Sequence, residues 1–274
     1  MEALRDDAPE VLIIIDADCR LQADSLDVLA KTANKWDVPV QALDIMHAGE
    51  GSGVRQRIAA FAWVVKNQVR ALGMSRLRTP CPLMGTGMAF PWHIISRIEM
   101  ASGALAEDML LGAELVVKGI APVFCPQACV TSEFPVSDQI AHTQRQRWEH
   151  GHLSMILDHA PALMKAVLKR GDIKGVFFVL DMMVPPLALQ SMLMLAGLGI
   201  TGVAAWFGHD QPLQVMLIGT GLFVLALMIS WCRYAREVIG LQQLVQIPLY
   251  LISKISLYVA YVFSREKNWV KTKR

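Results

Sequence analysis

The residues able to do chemistry fall in a fixed order along the chain. Asp16-Ala17-Asp18 closes an apolar run, Val11-Leu12-Ile13-Ile14-Ile15. Glu107-Asp108 follows, then Gln144-Arg145-Gln146-Arg147-Trp148, and long apolar runs come last. Paired aspartates offer hard oxygen ligands that suit Mg²⁺ or Mn²⁺, and such a cation takes phosphate oxygens in turn. A further acid can accept a proton from a hydroxyl. Gln144 and Arg147 stand three residues apart and share one face of a helix. The arginine fork fits a diphosphate, and Trp148 adds a flat apolar face for a ring. Each group also has a plainer reading. Asp16 and Asp18 suit helix caps. Glu107 and Asp108 complement the dipole of a helix in its first turn. The 144–148 stretch suits an amphipathic helix on a membrane surface. The order of the groups carries more weight than any one of them.

These residues need elements to hold them. The run 11–15 predicts a strand buried on both faces, as in a parallel sheet. Ligands of such sheets bind beyond the carboxyl ends of strands, where Asp16 and Asp18 stand. Asp24 predicts the cap of a helix over 25–35 with Leu26, Leu29 and Ala30 on its inner face. The next strand is expected over 38–43. Gly49-Glu50-Gly51-Ser52-Gly53 reads as a flexible loop; it lacks the spacing and trailing Lys-Ser/Thr of a Walker loop. A helix over 54–72 places Ile58, Phe61, Ala62 and Val65 on one face. The turn-rich stretch 79–91 holds Gly85-Thr86-Gly87, where glycine lets backbone approach a ligand closely. A helix opening at Glu107-Asp108, a short strand over 122–130 and a helix over 137–153 complete this half. His142, His150 and His152 read as solvated or interfacial, because His-Gly-His is not a helical metal spacing.

Composition sets the wider frame. Of 274 residues, 54% are hydrophobic and 18% charged, with mean hydropathy +0.38. That is too apolar for an ordinary soluble domain. Charge concentrates before Lys174 and apolar runs after it, so the chain reads as a soluble half, long enough for its own core, followed by a membrane half. The net charge of +2 comes with no dense basic stripe, which argues against nucleic acid as a partner. The cysteines Cys19, Cys81, Cys125, Cys129 and Cys232 show no zinc spacing and read as free thiols of a reducing compartment. The N-terminus lacks a signal peptide's apolar core. Spans are expected over 187–207 and 213–232. Arg233 and Arg236 follow the second span, and the link 208–212 has no Lys or Arg, so both flanks of the pair are expected on the cytoplasmic side. The run 244–263 contains Lys254 near its middle, which costs about 2.5–3.5 kcal/mol on insertion. It is therefore expected to be interfacial or re-entrant, with the basic tail Arg265, Lys267, Lys271, Lys273 and Arg274 in the cytoplasm, and 176–186, interrupted by Asp181 and Pro185-Pro186, is expected to be interfacial.

Taken together, Asp16-Ala17-Asp18, Gly85-Thr86-Gly87-Met88, Ala106-Glu107-Asp108 and Gln144-x-x-Arg147-Trp148 resemble the membrane-integrated, inverting family 2 glycosyltransferases. That group includes cellulose, hyaluronan and poly-N-acetylglucosamine synthases. The apolar C-terminal runs and the Trp269-Val270-Lys271-Thr272 tail fit as well. The resemblance implies an α/β fold: a partial GT-A (Rossmann-like) domain over 1–160, an interfacial linker over 161–186 and a membrane region over 187–274. It implies a UDP- or GDP-sugar donor, a glycan or lipid-linked acceptor, Mg²⁺ or Mn²⁺, and a plasma or inner membrane with the catalytic part cytoplasmic. Asp18 would bind the metal and Asp16 the nucleotide side of the donor. Asp108 would be the base, Gln144 and Arg147 would hold the diphosphate, and Trp148, Gly85, Thr86 and Glu107 would line the acceptor site. Where the family often has Thr before Glu-Asp, this chain has Ala106. The family also carries a base-recognising aspartate on strands ahead of Asp-x-Asp. The chain starts ten residues before Val11, so it is expected to match the C-terminal part of a family member. The other half would lie upstream or come from a partner or a second copy; otherwise the chain would be a non-catalytic remnant or a membrane scaffold.

Overall fold

A computed structural model describes residues 7–98, 106–135 and 138–263. The basic tail, on which the expected cytoplasmic C-terminus rests, lies outside the described residues, as does Ser137.

The first apolar run forms β1 (Val11–Ile14). After a turn closed by the Cys19 N–H donating to the Asp16 carbonyl at 3.0 Å comes the short β2 (Arg20–Leu21). Helix α1 (Ser25–Trp36) buries Ser25, Leu29 and Ala33, a four-residue spacing that keeps them on one stripe. Asp24 stands at its start in the left-handed region without a side-chain cap bond, and Leu26 points outward, both contrary to expectation. The Ser25 hydroxyl instead fastens the helix to the sheet by accepting from the Cys129 N–H at 3.0 Å.

Strand β3 (Val40–His47) runs four residues further than expected. The long helical pattern is α2 (Val54–Trp63), a π-helical stretch (Val64–Arg70) and α3 (Ala71–Arg76). Strand β4 (Met88–Pro91) leads into the single turn α4 (Trp92–Ile95). Helix α5 (Glu107–Val117) opens at the acidic pair, as expected, and β5 (Val123–Glu133) follows.

The sheet is mixed, in the order β1-β4-β3-β5-β2. Among the described residues only β3 and β5 are parallel; β1 pairs antiparallel with β4. The expectation for β1 therefore needs correcting: it is an antiparallel edge strand and its residues are half-buried. Four consecutive apolar residues look alike in either setting, because the run itself does not encode strand direction. The central strand is β3, whose Val40, Gln41 and Ala42 are fully buried.

The chain continues through α6 (Asp138–Ser154), a π-helical turn (Met155–His159), α7 (Ala160–Lys169) and α8 (Ile173–Met182). Two long apolar helices follow, α9 (Leu187–Trp206) and α10 (Asp210–Ser230). With its π-helical extension α10 reaches Ala235, and both helices are long and apolar enough to cross a membrane. They pack on each other, with Thr220 against Met194, while their outer faces carry exposed side chains such as Ile200 and Leu222. Short α11 (Leu241–Leu244) and α12 (Ile247–Phe263) end the described chain.

The first half has clusters of its own around Leu29 and Phe90. A further cluster is shared: Ile58, Phe61, Val64 and Val65 pack with Ala235, Ile239, Tyr250 and Leu251 from the C-terminal half.

Candidate active site

Two adjacent residues of one loop gather the acids. The Asp16 backbone N–H donates to Thr86 Oγ1 at 3.1 Å. Next to Thr86, Gly85 lies against the Asp108 carboxylate: a β-carbon there would stand 3.3 Å from Oδ2. The loop is itself held by Gln41, which is fully buried. Its Oε1 accepts from the Met84 N–H at 2.9 Å, and its Nε2 donates to the Thr86 carbonyl at 2.8 Å. Gly87 has φ +65°, and a β-carbon would meet Val130 Cγ2 at 2.7 Å and Ala42 Cβ at 2.9 Å. A side chain has no room there, so the close passage of this loop over β3 and β5 requires glycine.

At the end of β1, ligand atoms of Asp16, Asp18 and Cys19 all lie within 4.8 Å of one another, and both aspartates are exposed. Two carboxylates at this spacing fit a hard divalent cation. All five cysteines are free.

Asp108 stands in the first turn of α5. Burial raises its carboxyl above the ordinary aspartate range; the Met109 N–H and then the Lys66 ammonium pull it back. It keeps partial contact with solvent although protein crowds around its carboxylate. Glu107 beside it is exposed.

Lys66 was not foreseen. It projects from the π-helical stretch, and its charge is felt by Asp108 and by Asp44. Its own ammonium is lowered by loss of water first, with Asp108 opposing the shift. Its side chain remains accessible although protein crowds around it, as befits a cleft wall. Asp44, on β3, is 2% exposed and accepts from Asn67 Nδ2 at 3.0 Å. Burial pushes it up to about 7, against the pull of Lys66. The signal for this group was present: Asp44 interrupts an apolar strand, and Lys66-Asn67 interrupts an apolar helix.

Trp148 reaches the same region through Trp63. Their rings stand 5.1 Å apart at 50°, Trp63 meets Phe134 edge-on at 6.3 Å, and Lys66 lies 5.9 Å from the Trp63 ring. Trp63 is fixed by its Nε1–H donating to the Asp44 carbonyl at 3.2 Å. Contacts thus join Asp16, Thr86, Gly85 and Asp108 on one side and Lys66, Trp63 and Trp148 on the other, and the Lys66 charge acts on Asp108 between them. Gln144 and Arg147 are half-buried on α6, Gln144 about one turn before Trp148 and Arg147 immediately before it.

The histidines of α6 correct an expectation. His150 and His152 are buried. Their Nε2–H groups donate to the carbonyls of Leu257 at 3.1 Å and Met182 at 3.0 Å. They fasten α6 to α12 and α8. The side chain of His142 lies outside the described residues. Asp181 of α8 is likewise engaged: Arg70 donates to its carboxylate at 2.9 and 3.1 Å and to its carbonyl at 2.7 Å.

A mixed sheet flanked by helices, with an acidic pair at a strand end and apolar helices after the domain, is a GT-A-like glycosyltransferase plan. Over residues 11–263 the sequence matches the family described as glycosyl transferase family group 2, and the chain belongs to that family. A search of curated proteins finds no match. Among solved structures, the chain is similar to the mannosyltransferase PcManGT from Pyrobaculum calidifontis in complex with GDP-Man and Mn²⁺. The identity is 16% and the TM-score 0.44, over 97% of this chain and 66% of that one. The chain therefore spans just under two thirds of that protein's length.

Proposed function

We propose that this chain moves a sugar from a nucleoside-diphosphate donor to a glycan or lipid-linked acceptor, with inversion, at the cytoplasmic face of a membrane. The observation that carries this reading is the Gly85-Thr86 loop, which holds Asp108 on one residue and Asp16 on the next. An acid pair fit for metal and diphosphate and a single acid fit for a base thus flank one small volume.

In this reading Asp108 accepts the proton of the acceptor hydroxyl. The freed oxygen attacks the anomeric carbon from the face opposite the diphosphate, and the carbon–oxygen bond to the diphosphate breaks. Arg147, with Gln144, receives the charge of the leaving group. Trp148, backed by Trp63, gives the acceptor ring a flat surface. Glu107, Gly85 and Thr86 border the acceptor. Asp18, with Asp16 on the nucleotide side, would hold Mg²⁺ or Mn²⁺, which when bound offsets the negative charge of the diphosphate.

The membrane placement rests on α9 and α10, whose apolar windows are 0% and 6% buried; a core helix of a soluble domain would be covered. The third apolar run is reread in this light. Lys254 is not directed at lipid, since it pairs with Glu149 of α6, which agrees with α12 lying along the membrane surface beside the catalytic part. The outer edge of β1 has no partner strand among the described residues. This supports a partner, or a second copy, that adds a strand there.

The test is transfer of radiolabelled sugar from UDP- and GDP-sugars by membranes containing the whole chain, with Mg²⁺ or Mn²⁺ and with excess chelator. Product formation that chelator and Asp18→Ala both abolish is expected. Donor binding without transfer to any acceptor would leave a scaffold. Full activity in chelator would remove the metal from Asp18.

A further inference from the structure

Helices α6 and α12 meet through a charge pair that the transfer chemistry does not use. Lys254 Nζ donates to Glu149 Oε1, and the side chains are only 7% and 16% exposed. Glu149 directly follows Trp148. The same ammonium lies 5.6 Å from the Tyr250 ring. Beside it, His150 bonds the Leu257 carbonyl and meets the Tyr261 ring edge-on at 5.1 Å. The opposite face of α12, with Leu249, Ile252, Ile255 and Val259, is apolar and exposed.

This is a poor way to gain stability. Stripping water from two ions costs more than their attraction returns unless every remaining polar atom is satisfied. Here His150 Nδ1, one residue along α6, is buried without a hydrogen-bond partner, and the Glu149 carboxylate also has the Tyr258 hydroxyl against it. Well-packed apolar side chains would hold the two helices at least as firmly. What an ion pair adds is register. Apolar surfaces slide past each other at little cost, whereas two charges that must meet fix one helix along the other. The helix so fixed is the one that presents Arg147 and Trp148, two residues and one residue before Glu149.

We propose that Glu149 and Lys254 are positioning residues: their ion pair sets the register of α6 on α12 and so holds Arg147 and Trp148 at the cleft. The proposal rests on the transfer reading above. It makes the seating of α12 a condition for a well-formed site on α6.

The decisive variant is E149L/K254M in the full chain, compared with wild type and the charge-swapped E149K/K254E. Three quantities are measured: melting temperature, turnover and donor KM, and hydrogen exchange of backbone amides 144–150. The apolar pair is expected to melt at or above the wild-type temperature, yet to lose roughly tenfold or more in kcat through misplacement. Its donor KM should change much less, and its α6 amides should exchange faster. The charge swap should recover most of kcat and of the protection. Wild-type kcat and exchange in E149L/K254M would overturn the proposal. So would a folded charge-swapped variant as slow as the apolar one. If wild type itself transfers no sugar, the transfer reading fails, while unchanged exchange in E149L/K254M still overturns the register role and faster exchange still supports it.

Discussion

Asp108 and Gly85 are fitted to each other. The carboxylate lies beside the glycine, whose φ of +86° disfavours a side chain and where a methyl group would press on Oδ2 at 3.3 Å. Asp108→Asn, which keeps the shape and removes the base, should cut transfer by about 10²–10⁴-fold while donor still binds. Gly85→Ala should also lower kcat, by displacing the carboxylate. Single-turnover assays with titrated donor separate binding from chemistry. Wild-type turnover in Asp108→Asn would remove that residue from the role of base.

Lys66 gives Asp108 a pH signature. Burial raises the Asp108 carboxyl and Lys66 opposes the rise. The base must be ionised, so activity is lost as pH falls through its pKa. Lys66→Met removes the opposing charge and should move this acid limb to higher pH, whereas Lys66→Arg should leave it near its wild-type position. The check is the pH dependence of kcat for the three proteins; coincident limbs would show that Lys66 does not act on Asp108.

Gly87 should matter for stability before it matters for chemistry. A methyl group there would overlap Val130 and Ala42 on the two central strands, at a backbone angle that disfavours any side chain. Gly87→Ala is expected to cost about 1–3 kcal/mol from overpacking, with a further contribution of about 1–2 kcal/mol from the left-handed backbone. Thermal melts of detergent-solubilised protein would show it.

His152 should make the fold sensitive to acid. Burial lowers its pKa to about 3, against about 6.5 for an unfolded histidine. Below pH 6.5 the unfolded chain takes up a proton that the folded one refuses until about pH 3. Stability is therefore present above 6.5 and falls with decreasing pH across that window, at up to about 1.4 kcal/mol per pH unit. The stability difference between wild type and His152→Gln, followed from pH 7.5 to 4.5, isolates this group from the carboxylates common to both. A pH-independent difference would contradict the assignment.

Much of this was legible in the chain, and the failures have physical causes. Helix α5 opening at Glu107 and the two long apolar helices follow from local chemistry or from length, whereas Gly85 and Gly87, expected to admit a ligand, are seen packed against Asp108 and against Val130 and Ala42. The direction of β1 does not follow in that way, because pairing partners decide it. Lys66 lies within the expected helix 54–72 and was not singled out; its place near Asp108 and Asp44 depends on the π-helical stretch and on β3 beneath it. His150 and His152 looked solvated because an i, i+2 spacing points them at two different neighbouring helices, which a single helix cannot reveal. Lys254 looked like a liability in an apolar run, since its partner Glu149 lies 105 residues away.

The cluster shared by the two halves bears on how the protein can be handled. Ile58, Phe61 and Val65 are covered by Ala235, Ile239, Tyr250 and Leu251, with Leu187, Met192 and Leu227 around them. Cutting the chain before Leu187 would leave α2 with a bare apolar stripe in water. The catalytic part cannot be trimmed into a well-behaved soluble fragment at the obvious Pro185-Pro186 boundary. On the membrane placement proposed above, purification will need detergent or lipid from the first step, and a soluble version would require redesign of the α2 surface as well as deletion of the hairpin.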